Sequence, residues 1–258
     1  MGIVNVTPDS FSDGGLCVED DAALTHARAM IARGATILDV GAETTKPGSA
    51  RVSASDQISR LTDILPALCE LGVTVSIDTT WADVAEFALD CGATMINDIS
   101  AGRDDPTMFE LAASRGAELV LMHMQGEPAS MQVNPQYDDV VAEVAAFLAE
   151  RMAAAIAAGV AANHIILDPG IGFGKTASDN LALLQDVDAL LALDTRVLIG
   201  PSRKRFIDEL AGAPNPADRV GGTIAACIET YRQGATLFRV HDVRDVHQAL
   251  TVASALAN

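Results

Sequence analysis

Short apolar runs rich in β-branched residues recur along the chain, each followed by a longer Ala-rich stretch of helical periodicity. The runs are "GIVNV" (2–6), "TILDV" (36–40), "VTVSI" (73–77), "TMIND" (94–98), "ELVLM" (118–122), "HIILD" (164–168), "RVLIG" (196–200) and "TLFRV" (236–240). Runs of this kind predict buried strands. The segments between them predict amphipathic helices at 20–33, 54–71, 81–91, 106–115, 138–158, 178–193, 217–233 and 244–257. Four helix-to-strand junctions share a pattern, "RGATI", "CGATM", "RGAEL" and "QGATL". Glycine there supplies the left-handed cap that ends a helix before the next strand. Strict alternation requires a parallel sheet with right-handed crossovers. Eight units predict closure into a (β/α)8 TIM barrel, a fold of about 250 residues, and the chain has 258. An open doubly wound sheet is the alternative, but it gives no reason for eight units and the GxGxxG motif is missing. No linker divides the sequence, so residues 1–258 are expected to form one domain.

Composition narrows the picture. Hydrophobic residues make up 49% and aromatics only 4%, a core of alanine and branched aliphatics suited to helices on parallel strands. The net charge of −18 would repel nucleic acid and anionic membrane. No apolar run reaches the roughly 18–20 residues of a membrane span, and "MGIVNVTPDS" lacks the features of a signal peptide. Cys17, Cys69, Cys91 and Cys227 form no CxxC pair and read as reduced thiols of a cytoplasmic protein.

Against that acidic background the strand ends stand out. They carry Asn5, Asp78, Asn97 with Asp98, His123, Asp168, "GPSRKR", Arg239 and His241, and the three lysines, Lys46, Lys175 and Lys204, all follow strands. Barrel enzymes place their sites at the C-terminal ends of the strands. Any one such residue could simply cap a turn or helix; a set drawn from all eight units points to a site for an anionic ligand. The stretch "ILDPGIGFGKT" (166–176) imitates a phosphate loop. Its spacing fails, because five residues before Gly174 stands Pro169, which has no N–H to offer a phosphate. Asp168 would also repel the phosphates.

"MGIVNVTPDSFSDGG" closely resembles the first signature of the dihydropteroate synthases. "SIDT", "INDIS", "MHMQG", "LDPGIGFGK", "SRK" and "RVHDV" are similar to the rest of that family's motifs, and the resemblance spans the chain. It implies condensation of 6-hydroxymethyl-7,8-dihydropterin diphosphate with 4-aminobenzoate to give 7,8-dihydropteroate and diphosphate. By the same resemblance Asp78, Asn97 and Asp168 bind the pterin with Lys204 beside its ring. Arg239 and His241 take the diphosphate with Thr45, and Asn5 ligates Mg²⁺. Phe11, Lys46, Phe173 and Arg205 lie toward the second substrate, Pro47 and Ser202 are further substrate-binding positions, and His123 is expected to line the pterin pocket. The loops "NVTPDSFSDGG" and "GAETTKPGSARVS" would close over bound diphosphate, making binding ordered. A homodimer is implied as well. Members usually carry a short segment ahead of the first signature.

Buried carboxylates suit a pterin edge, because an analogue without its donors would leave them unpaired at a cost of about 1–3 kcal/mol. Cations and a metal suit a leaving diphosphate, whose charge grows in the transition state. An aromatic amine is largely neutral at pH 7, so no dedicated general base is needed. The chain departs from the family at "GAETTKPG", where Ala42, Thr44 and Lys46 replace Gly, Ser and Arg, and at Arg205, which replaces a small Ser. Arg205 is expected either to pair with the aminobenzoate carboxylate or to swing outward, and to change the discrimination between aminobenzoate and sulfonamides. Two alternatives are a pterin-dependent methyltransferase, which needs neither "TPDSFSDGG" nor an anion-binding "RVH", and a non-catalytic pterin-binding paralogue, which would have lost Asn5, Lys204, Arg239 or His241.

Overall fold

The structure, a computed structural model, describes residues 1–6, 16–43 and 51–257, the first six residues of helix 16–32 by their backbone alone. Eight strands run parallel in sequential order: β1 (Gly2–Asn5), β2 (Ile37–Gly41), β3 (Thr74–Asp78), β4 (Met95–Asp98), β5 (Glu118–Met122), β6 (Ile165–Asp168), β7 (Arg196–Ile199) and β8 (Leu237–Phe238). The sheet closes where Val240, just past β8, meets β1. Ile3 N donates to Val240 O at 3.2 Å, and Val240 N to Met1 O at 3.0 Å. The chain therefore forms the (β/α)8 barrel that its alternation predicts.

Around the strands stand α1 (Leu16–Ala32), α2 (Ala54–Leu61), α3 (Ile64–Cys69), α4 (Ala82–Asp90), α5 (Met108–Arg115), α6 (Val140–Ala157), α7 (Ala177–Gln185), α8 (Asp188–Leu191), α9 (Arg205–Ala211), α10 (Val220–Arg232) and α11 (Val243–Ala257). Two expected helices are divided. The segment 54–71 breaks between α2 and α3 because Pro66 has no N–H for the carbonyl four residues earlier and its ring crowds that carbonyl. The segment 178–193 breaks at Asp186, where φ is −134°, and the Val187 N–H goes instead to Gln233 Oε1 at 2.9 Å. Helix α9 was not foreseen. The repeated junction glycines Gly34, Gly92, Gly116 and Gly234 all have positive φ, as left-handed caps require.

Successive strand residues face opposite sides of a sheet, and this period organises the barrel. Outward-facing Leu38, Val40, Ile77, Ile96, Leu121, Leu167, Val197 and Ile199 pack into the main core beneath the helices. Inward-facing Ile37, Met95, Val120, Ile166 and Leu198 form a separate apolar plug in the barrel. Fully burying side chains of this size stabilises by roughly 1.5–3 kcal/mol each. Two residues further along the same strands stand Asp39, Asn97, Met122, Asp168 and Gly200. The plug thus gives way to a largely polar layer in a single step of the pleat.

The loop after β6 meets the end of β5 backbone to backbone. Gly170 sits at φ +69°, and a Cβ there would fall 1.9 Å from His123 O. Gly170→Ala is expected to lower unfolding stability by about 3 kcal/mol, from left-handed strain and a clash with an immovable carbonyl. A urea titration checks it.

Candidate active site

One register row places the first candidates. Asn5 pairs with Gly41, Gly41 with Asp78, and Asp78 with Asn97, so all four share the inner face at the C-terminal rim. Gly41 matters for space: a Cβ there would lie 3.4 Å from Asp78 Cβ. Below this row Asp39 is fully buried. It accepts from Ser76 Oγ at 2.6 Å, Asn97 Nδ2 at 3.0 Å and Arg239 Nε at 2.6 Å. Arg239 arrives from the end of β8 and spends a second nitrogen, Nη2, on Asp78 Oδ2 at 2.7 Å. Among the described residues no side chain takes its Nη1. With Asn97 Nδ2 committed to Asp39, Asn97 Oδ1 is the buried side-chain oxygen left without a partner among the described residues.

Asp168 joins the same rim. Its Oδ1 accepts from Gly170 N at 2.7 Å, and its Oδ2 stands 3.9 Å from where Gly200 would carry a Cβ. That missing side chain leaves the carboxylate and Arg239 a common space, because the same Cβ would lie 4.0 Å from Arg239 Cβ. Lys204 lays its stem against Gly172, whose Cβ would meet Lys204 Cδ at 2.9 Å. Its ammonium sits 4.1 Å over the Phe173 ring, a cation–π contact. Phe173 is buried with Ile99, Met122, Met124 and Met131. His241 Nδ1 lies 2.9 Å from the buried Ser202 Oγ, which also accepts the His241 backbone N–H at 3.1 Å. In the tautomer in which the hydroxyl donates to Nδ1, Nε2–H is left to face an anion.

The β7 loop that carries Lys204 is strained and tied down. Arg203 has φ +58°, uncommon for a side-chain-bearing residue. Its guanidinium pairs twice with Asp242, at 2.8 and 2.5 Å, its N–H goes to Thr223 Oγ1 and its carbonyl accepts from Arg219. Strain held by so many partners is characteristic of functional loops.

Electrostatics follow from burial. Desolvation raises Asp168 to about 6 and Asp78 to about 7, the latter against the opposing pull of Arg239. Lys204 is lowered to about 8, by burial first and then by Arg239. Burial would also lower Arg239, but Asp39 and Asp78 more than reverse it and leave it raised. His241 is lowered to about 4, by desolvation and then by Arg203 and Arg239; water at its exposed face moderates the effect. The histidine is neutral at pH 7.

Some expected residues do not join the site. His123 was expected to line the pocket; it is the outward neighbour of Met122, and its ring packs edge-on to Phe147 of α6 at 5.0 Å. Lys175, expected to hold its loop or to add to the potential of the mouth and not to act in catalysis, is tied to that histidine at 2.9 Å. Asp98 caps its own loop, accepting from Ser100 N, Ser100 Oγ and Gly102 N. Arg205 takes the outward alternative, 81% exposed and paired with Glu209 at 2.8 Å. Phe11, Thr45, Lys46 and Pro47 lie outside the described residues. Asp39 was missed by the motif reading, although its period-two relation to Ile37 is visible in "TILDV". The flanks of segment 44–50 are anchored. Glu43 accepts from Val52 N and Gln57 Nε2, and Arg51 pairs with Asp104 at 2.7 Å above the Trp81 ring. A cavity of about 380 Å³ opens from Asp78 between Thr79, Thr80, Ile99 and Met124, with Arg51 and Arg103 on its walls. That volume is in the range of small-molecule sites.

The chain is similar to known proteins over nearly its whole length. Residues 1–241 match the family described as pterin binding enzyme. The dihydropteroate synthase of Synechocystis sp. is 44% identical over 257 residues, covering 99% of this chain and 89% of that protein. The Xanthomonas albilineans dihydropteroate synthase, solved with 4-aminobenzoic acid, superposes with a TM-score of 0.94 at 43% identity, covering 100% of this chain and 92% of that one. The same enzyme in complex with 7,8-dihydropteroate gives 0.89 at 41% identity, with 100% and 92% covered. A match spanning nearly the whole barrel, with the polar rim in place, identifies the chain as a member of the dihydropteroate synthase family of pterin-binding enzymes.

Proposed function

We infer that this chain is a transferase that joins 6-hydroxymethyl-7,8-dihydropterin diphosphate to 4-aminobenzoate, releasing diphosphate and making 7,8-dihydropteroate. The observation that carries this reading is the single rim on which Asp78, Asn97 and Asp168 stand beside Lys204, Arg239 and His241. Asp168 Oδ2 and Asn97 Oδ1 are the acceptors for the ring's amino and N–H groups. The orphaned Asn97 oxygen gains its first partner when the pterin enters, which favours binding because the unsatisfied group has already lost its water. Lys204 lies at the ring and Phe173 at the aminobenzoate side.

During reaction the bond from the pterin methylene carbon to the diphosphate oxygen breaks and the amine nitrogen bonds to that carbon. The amine's proton passes to water. Arg239 Nη1 and His241 Nε2–H meet the oxygens that gain charge, so they stabilise the transition state more than the bound substrate. Arg239 keeps its orientation because Asp39 and Asp78 hold its other nitrogens.

Mg²⁺ belongs to this reading. No three carboxylate, histidine or cysteine groups converge among the described residues, and Asn5 at the rim offers one exposed hard oxygen. That donor fits an ion that keeps its waters and takes phosphate oxygens. Asn5 would hold it with the diphosphate, where it would supply charge neutralisation on the leaving group. The reading also includes a homodimer, for which Leu210, Val252 and Leu256 on outer helices are exposed apolar surface. It includes a cytoplasmic setting, supported by the free thiols Cys69, Cys91 and Cys227. No helix among the described residues is long and apolar enough to cross a membrane.

Incubation with the pterin diphosphate, 4-aminobenzoate and Mg²⁺ is expected to release diphosphate and form 7,8-dihydropteroate; binding without turnover would reject the reading. Arg239→Met should lower kcat by roughly 10²–10³-fold, the usual cost of losing a transition-state charge contact. The kcat/KM profile for the pterin should be bell-shaped. Asp168 and Asp78 are raised to about 6 and about 7, so their carboxylates are lost as pH falls through that range. Lys204 is lowered to about 8, so its charge is lost as pH rises through 8. A profile flat from pH 5 to 9 would contradict these assignments. Because Arg205 points outward, Arg205→Ser should leave the ratio of aminobenzoate KM to sulfonamide Ki within about twofold, as for other exposed ion pairs.

A further inference from the structure

The reaction leaves the buried cation Lys175 unused. Lys175 is 3% exposed, and among the described residues it forms no ion pair with a carboxylate. Its Nζ donates to Phe173 O at 3.0 Å, reaches His123 O at 3.4 Å and lies 2.9 Å from His123 Nδ1. An ammonium has three donors and no acceptor, and here three acceptors surround it. Burial lowers His123 to about 3 and Lys175 to about 7, so the ring is neutral with Nδ1 free to accept, and the three-donor ammonium of Lys175 is lost as pH rises through 7.

Those acceptors belong to two different loops. His123 ends β5 and Phe173 lies in the turn after β6. The loops touch so closely that a Cβ on Gly174 would fall 2.6 Å from Gln125 O. Two further ties run the same way, from Gln132 Nε2 to Gly172 O at 2.6 Å and from Tyr137 OH to Gly174 O at 2.7 Å. Lys175 takes the carbonyl between them. The backbone of residues 172–174 is therefore fixed by three consecutive side-chain contacts, and the central one sets Phe173. On the ring of Phe173 rides the ammonium of Lys204.

We propose that Lys175 is a positioning residue, whose ammonium locks the Phe173 carbonyl to the end of β5 and thereby aims the Phe173–Lys204 wall at the aromatic amine. The proposal rests on the reading of Phe173 as the aminobenzoate wall. Lys175 itself touches no reacting atom. Its chemistry is that of a bolt: a tightly packed cation can satisfy three acceptors at once, which an apolar side chain of the same length cannot. Its effect falls mainly on the second substrate, because Asp168 and Asn97 hold the pterin through contacts that do not pass through Phe173, and the link from Phe173 to the pterin ring is the single cation–π contact of Lys204.

Lys175→Met, Phe173→Leu and the double variant test this in steady-state kinetics with both substrates varied. Lys175→Met should raise KM for 4-aminobenzoate about tenfold, in line with losing hydrogen bonds to a charged group, while KM for the pterin diphosphate stays within about twofold. Phe173→Leu should raise the same KM, and the double variant should be no worse than the weaker single, since both act through one ring. Multiplying effects in the double variant, equal rises in both KM values or an unchanged aminobenzoate KM in Lys175→Met would each overturn the proposal. If Phe173→Leu alone leaves the aminobenzoate KM unchanged, the reading of the wall fails and the proposal falls with it. Should Lys175→Met not fold, Lys175→Gln is read by the same criteria.

Discussion

The paired contact of Arg239 with Asp39 and Asp78 is the constraint on which the site depends. The two carboxylates are 200 and 161 residues away along the chain, and the guanidinium reaches them only because β8 closes onto β1. A half-buried cation between one buried and one half-buried carboxylate is costly to desolvate and of modest net value for stability when fully paired. Removing a single partner is far more costly. The triad therefore specifies one geometry: a guanidinium held at two nitrogens, a carboxylate edge at the rim, and an asparagine amide whose orientation is set from below.

That last point links the network to recognition. Asp39 accepts from Asn97 Nδ2, so the amide's oxygen is left unpartnered among the described residues, oriented in advance for the acceptor role proposed for it. Preorganisation of this kind reduces the reorganisation that binding requires. Glycine does the complementary work. At Gly41, Gly172 and Gly200 the absent Cβ leaves room for Asp78, for the Lys204 stem, and for Asp168 beside Arg239. At Gly170 and Gly174 it lets two loops approach within backbone contact, which Lys175 then secures.

Much of the fold was legible because its signals are local. Each apolar run and each left-handed glycine reports its own element, and the break at Pro66 could have been read from the same rules. The site was legible in part. Strand ends locate the rim, and the family motifs named Asp78, Asn97, Asp168 and Arg239. Two particular residues show the gap. His123 ends a strand, but a strand end gives only height in the barrel; the period-two alternation with Met122 gives the face, and it turns His123 toward α6. Asp39 sits mid-strand and carries no motif, yet it is the acceptor that three side chains share.

By itself the sequence determined the alternation of strand and helix, the points where helices stop, and the level at which polar groups emerge, because short-range sterics and burial period set all three. The tertiary structure alone decided which of those groups meet. Closure of the barrel brings β8 to β1 and carries Arg239 across to β2 and β3. Desolvation in the shared interior then shifts the acids up and Lys204 down. Neither effect belongs to any local stretch of chain, since both arise from distances that exist only once the eight strands have met.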